Sequence, residues 1–238
     1  MNENRKTAII VGVLFIIATV AYSLGVILLD PILGASDYLT IASGNEKQVI
    51  MGSFLVLIDA VAVAGIGIMI YPILKKHNEA LALGYAGARI AEGVLFTVNV
   101  IAILTLLALS QDFVKAGALD ASYYQTFGTI LLAAVDLAFL FGFAVAFTLS
   151  ALILNYLLYR SKLVPRWISG WGFVAALLLW VYYLLEPFSI DLLGILFIPI
   201  AIQEIVFAVW LIVKGFDPSA IDSESAKTEI NEIITRSK

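Results

Sequence analysis

The chain has 238 residues, of which 62% are hydrophobic and 13% charged, with a formal net charge of −4. Soluble domains hold about 45–50% apolar and about 25% charged residues, so this composition belongs to a multi-pass membrane protein, with the lipid bilayer as its main partner. The acidic balance leaves no basic footprint for nucleic acid. Zero cysteines exclude disulfides, thiol catalysis and thiolate metal sites, and one histidine, His77 in a polar junction, argues against haem, zinc and a serine–histidine triad.

In chain order, a short basic start leads into an apolar run from Thr7 to Leu29. At about 23 residues it exceeds a signal-peptide core and reads as a first span, ended by Asp30-Pro31. A mixed loop over 33–47 has room for a short helix from Ser36. The second span, from about Gln48 to Leu74, holds Asp59 followed by AVAVAGIG, a small-residue surface for close helix contact. The third, Gly84 to Gln111, is apolar yet carries Arg89, Glu92 and Asn99. At about 100° per residue, Tyr85, Arg89, Glu92, Phe96 and Asn99 share one narrow stripe, which is expected to face protein rather than lipid.

A fourth span, about Gln125 to Leu158, holds Asp136 on a side shared with Phe139, Phe143 and Phe147. The fifth runs from Trp167 to Leu185 and stops at Glu186-Pro187. The sixth, about Ile190 to Val213, contains Gln203 and Glu204, with a kink or local opening expected at Pro199. The sequence therefore predicts an all-α, polytopic domain of six transmembrane helices over 1–216, followed by a charged cytoplasmic tail over 217–238.

Six spans place both termini on one side. Arg5, Lys6, Lys75, Lys76, Arg160, Lys162, Arg166 and four basic residues of the last segment share that side, against Lys47 and Lys115 on the other. This imbalance predicts cytoplasmic termini in a cell membrane, N-in and C-in.

Asp59, Glu92, Asp136 and Glu204 all fall within apolar helices that hold a single arginine. Arg89 and Glu92, three residues apart, can pair on one helix, which leaves up to three carboxyls without a basic partner. Such acids are expected to keep a proton near neutral pH or to hold a bound cation. Arg89, Glu92, Glu204, Asp59 and Asp136, with Asn99, Gln203 and Tyr85 as neutral contacts, are the candidate binding residues for a proton, a cation or a small solute. No catalytic residue, metal ligand or cofactor motif is expected. Ser169 in SGWG has no histidine partner, LIDAV and AVDLA lack the glycine frame of an intramembrane aspartyl dyad, and the GIG at Gly65 is packing rather than a phosphate loop. Two functional classes follow: a proton-linked transporter or binding protein for a small solute or ion, and a non-transporting structural or regulatory protein whose charges fasten the bundle. A transporter's halves, spans one to three and four to six, would be oppositely oriented, although no residue-level repeat is evident.

Tyr71-Pro72, Ala82 to Glu92 with its Arg-x-x-Glu, Leu163 to Trp167 running into Gly170-Trp171-Gly172, and Glu204 followed by Trp210 to Phe216 together resemble a family of prokaryotic six-span membrane proteins known as a domain of unknown function. The resemblance covers roughly residues 5–216. It implies six spans and marks Arg89, Glu92 and Glu204 as motif positions, and it implies no activity.

Overall fold

A computed structural model describes residues 2–117, 121–185 and 195–221. Among these there are helices and connections and no strand. The helices are α1 (Glu3–Leu33), α2 (Tyr38–Gly44), α3 (Glu46–Leu74), α4 (Glu79–Ala116), α5 (Ala121–Phe139), α6 (Thr148–Ser161), α7 (Arg166–Leu185) and α8 (Ile198–Val213). A π-helical stretch, Leu140–Phe147, joins α5 to α6, and a short 3₁₀ turn, Ile195–Phe197, leads into α8.

Four helical runs are long and apolar enough to cross a membrane: α1, α3, α4 and the continuous Ser122–Ser161, with mean hydropathies of 2.5, 2.4, 2.3 and 2.5. α7 has 20 residues and α8 has 16. Neighbouring helices close a ring, α1 against α3, α3 against α4, α4 against α5 and α6, α6 against α7, α7 against α8, and α8 back against α1. Leucine, isoleucine and valine side chains such as Ile17, Val61, Val94 and Val209 lie exposed on the outside of this ring, as a lipid-facing surface requires.

Three boundaries differ from the sequence expectation. α1 runs past Asp30-Pro31 to Leu33, because Pro31 lies in the last turn, where Gly34 N–H closes on the Asp30 carbonyl at 3.0 Å. Pro199 does not kink a helix; it sits in the first turn of α8, where a missing N–H costs nothing. The fourth span is not one regular helix, since the π stretch interrupts it with i→i+5 bonds such as Thr148 N–H to the Phe143 carbonyl. Glu186-Pro187, the start of the sixth span before Ile195 and the tail beyond Ile221 lie outside the described residues.

One end of the bundle gathers Ala8, Leu74, Ala82, Leu158, Leu163, Leu211 and Phe216 into a single buried cluster. Arg5 fastens this end: its guanidinium donates to the carbonyls of Leu211 (2.9 Å), Ile212 (2.6 Å) and Val213 (3.1 Å), the orphan acceptors at the end of α8. Gly215, at φ +80, gives room for it, since a Cβ there would stand 2.9 Å from an Arg5 nitrogen. Asp217 N–H then bonds the Leu163 carbonyl (2.9 Å), and the Asp217 carboxyl is held below the usual carboxylate range by bonds from the Ser219 hydroxyl and N–H. Arg5→Met is expected to lower stability by roughly 1–2 kcal/mol, read as a fall in the thermal midpoint of the purified protein. An unchanged midpoint would show that this cap contributes nothing.

Candidate functional site

The site is built on α4. Asn78 starts this helix by accepting the Leu81 N–H at 2.9 Å, which sets the register of everything after it. From that start Tyr85, Arg89, Glu92, Phe96 and Asn99 are all buried, so the stripe turns into the bundle along its whole length. Glycines bring α3 close enough to enclose it. A Cβ on Gly67 would lie 2.8 Å from Arg89 Cβ, and one on Gly93 would lie 2.5 Å from the Ala60 carbonyl oxygen.

Arg89 is 2% exposed and all three of its nitrogens donate. Nε bonds the Tyr85 hydroxyl (3.3 Å), Nη1 bonds both Glu92 oxygens (3.2 and 3.1 Å), and Nη2 bonds Glu204 Oε1 on α8 (3.3 Å). The rings of Phe15, Tyr85 and Phe147 stand 5.4, 5.8 and 5.3 Å from the guanidinium carbon. A charge taken from water is tolerated only when paired and hydrogen-bonded, and here one guanidinium is held by two carboxylates and three aromatic rings.

Asp59, on α3, is 3% exposed and shares a cavity of about 200 Å³ with Arg89, Glu92 and Glu204. Among the described residues its Oδ2 has no hydrogen-bond partner. Phe15 and Tyr22 of α1, Phe96 of α4, Phe143 and Phe147 of the π stretch and Phe197 give the same cavity aromatic walls. Exposed Ser23 and Ala201 stand at its edge, so it reaches the surface between α1 and α8.

The other predicted residues lie elsewhere. Asp136 is exposed on α5 and lines a second cavity of about 620 Å³ with Asp30 and Asn99, toward the end of the bundle opposite the N terminus. Asn99 donates to the Val135 carbonyl (2.9 Å) and so ties α4 to α5. Gln203 turns away from its neighbour Glu204 and donates to Asn155 Oδ1 and the Ile168 carbonyl, both at 3.4 Å. The structure thus brings Arg89, Glu92, Glu204, Tyr85 and Asp59 together; it does not bring Asp136, Asn99 or Gln203 to them.

Two residues were not singled out from the sequence. Asn155, which lies against Gly172, is a buried amide in an apolar helix and could have been found on that ground. Tyr22 lines both cavities and stacks on Phe96 (5.6 Å), Phe139 (6.4 Å) and Phe143 (6.0 Å). It stands in a helix with no charged residue between Lys6 and Asp30 to draw attention to it.

Residues 10–215 match a family described as a domain of unknown function, DUF4386. The chain belongs to this family. The matched stretch takes in every residue of the Arg89 cluster and both cavities' aromatic walls. No curated protein and no solved structure matches the chain.

Proposed function

We propose that this DUF4386 protein is a six-span protein of the prokaryotic plasma membrane, with both termini in the cytoplasm, that binds and moves a small solute or ion through a proton-linked site at Arg89, Glu92, Glu204 and Asp59. The excess of lysine and arginine at one set of helix ends supports the orientation. The observation that carries the site is the buried Asp59 Oδ2, unpartnered beside an arginine already shared by two carboxylates. A fully paired lock has no use for a third acid; a site that takes up a proton or a cation does.

Infrared spectroscopy of the purified protein tests this. A protonated-carboxyl band is expected to persist at pH 7 and to lose intensity in Asp59→Asn or Glu204→Gln. Spectra showing every buried carboxyl ionised down to about pH 5 would reject the proton-linked reading. The competing reading, a non-transporting bundle held by its charges, is favoured by the complete engagement of the Arg89 nitrogens; substitution of Arg89 separates the two.

A further inference from the structure

We infer that the cavity beside Asp59 takes a small organic ammonium ion, with Asp59 as its counter-ion and Tyr22, Phe96 and Phe143 as the faces against which the cation lies. The inference rests on the binding site proposed above and narrows its ligand to one chemical class.

Charge decides the sign of the ligand. Among the described residues Arg89 is the only buried cation of the cavity, and Glu92 and Glu204 already share it. An incoming anion would meet no unshared positive group and three acids. Asp59 Oδ2, buried and without a partner on the cavity wall, lacks a positive neighbour of its own. A buried carboxylate is tolerated when a charge partner reaches it, so the ligand that takes the place of the Asp59 proton is positive.

The walls decide between a metal and an organic cation. Calcium and magnesium ions take about six or more oxygen ligands. Among the described residues no group of three or more carboxylate or imidazole side chains is placed to hold a metal ion. The cavity instead is walled by aromatic rings offset from one another, Tyr22 5.6 Å from Phe96 and 6.0 Å from Phe143, and Phe143 5.6 Å from Phe197, separations that leave part of each face uncovered. Aromatic faces beside one carboxylate suit an alkylammonium, whose charge is spread over methyl groups and needs no dense oxygen shell. About 200 Å³ has room for a head of that size and little more.

The second cavity strengthens the assignment. Among the described residues it carries Asp30 and Asp136 and no basic residue, and Tyr22 and Phe96 line both spaces. A cation drawn into the acidic outer space would therefore meet the Tyr22–Phe96 pair as the partition before Asp59.

Calorimetric titration of the full-length protein in lipid nanodiscs tests the inference, with choline chloride as probe and 3,3-dimethylbutan-1-ol as its uncharged counterpart of the same shape. Saturable choline binding is expected, at least tenfold tighter than that of the alcohol. It should weaken at least tenfold in Asp59→Asn and several-fold in Phe143→Leu, with thermal unfolding reporting that each variant is folded. Equal affinity for the alcohol overturns the inference on the unaltered protein alone, whatever the variants do. So do undiminished binding by folded Asp59→Asn, displacement of choline by equimolar potassium, and no saturable binding at all. If choline does not bind while the protonated-carboxyl band persists, the ligand class is wrong and the proton-linked site stands; if both are missing, both fall.

Discussion

Replacing Arg89 by methionine should be the most damaging single change in the bundle, lowering stability by roughly 3–5 kcal/mol. The side chain is 2% exposed, and its loss leaves Glu92 (2% exposed) and the partly buried Glu204 with no positive neighbour in the cavity, while Tyr85 loses the donor to its hydroxyl. The cost comes from stranding acids, more than from losing attraction, and this dictates the control. Arg89→Met combined with Glu92→Gln and Glu204→Gln removes both stranded charges and should recover most of the lost stability, because neutral replacement of a whole buried ion cluster is often close to neutral. Thermal unfolding at neutral and mildly acidic pH reads both effects. The single variant should gain stability as the pH falls and protons neutralise its acids, whereas the triple variant should not. If the single variant melts with the native protein at neutral pH, the cluster is neither lock nor site. If the triple variant recovers its melting but loses its ligand response, the Arg89 cluster serves binding; if it recovers its melting and keeps that response, the cluster serves the fold, and any protonated-carboxyl band it retains belongs to Asp59.

Gly93→Val is the second large effect expected, a loss of roughly 1–3 kcal/mol with the upper end favoured. A Cβ at this position would stand 2.5 Å from the Ala60 carbonyl oxygen, an atom of backbone that cannot swing aside as a side chain would. α3 and α4 would have to separate, and Asp59, one residue before Ala60, would move away from Glu92 and Arg89. Gly87 on the same helix is the control: nothing lies within 4 Å of a Cβ there, so Gly87→Ala should be neutral or raise stability by up to about 1 kcal/mol through helix propensity. Thermal midpoints of the two variants, measured side by side, check the contrast. Equal midpoints would mean that the α3–α4 contact is not close.

What could be read from the chain depended on which coordinate the residues reveal. The α4 stripe was legible because the 100° step fixes direction around a helix, and five residues from Tyr85 to Asn99 repeat it. Depth along a helix was legible too, which is why Asp59 and Glu204 could be named. Depth does not give azimuth, however. Asp136 lies well inside an apolar run, yet it faces out of the Arg89 cluster toward the second cavity. Gln203 and Glu204 are adjacent, so about 100° separates them, and they serve different helix pairs. Neither the π stretch nor the placement of Pro199 in a first turn has a signal in residue types, because both depend on what packs alongside. Family membership was legible from short motifs between Tyr71 and Phe216, which lie almost wholly within the matched 10–215.

The widened turn between α5 and α6 has a further consequence. Phe139, Phe143 and Phe147 stack successively at 5.5 and 4.5 Å with their planes nearly parallel, and Tyr22 joins the column. The lowest ring, Phe147, is the one that rests on the guanidinium. A π turn takes about one residue more than an α turn, so removing a single residue between Leu140 and Phe147 would let this segment wind back into ordinary pitch with α6 kept close to its present orientation. Phe147 and Asn155 would then stay near Arg89 and Gly172, and the change would fall on the ring column, whose members recur every four residues across this stretch. A one-residue change of length is therefore absorbed more readily in this stretch than elsewhere in the same helix, where it would turn everything beyond it by about 100°.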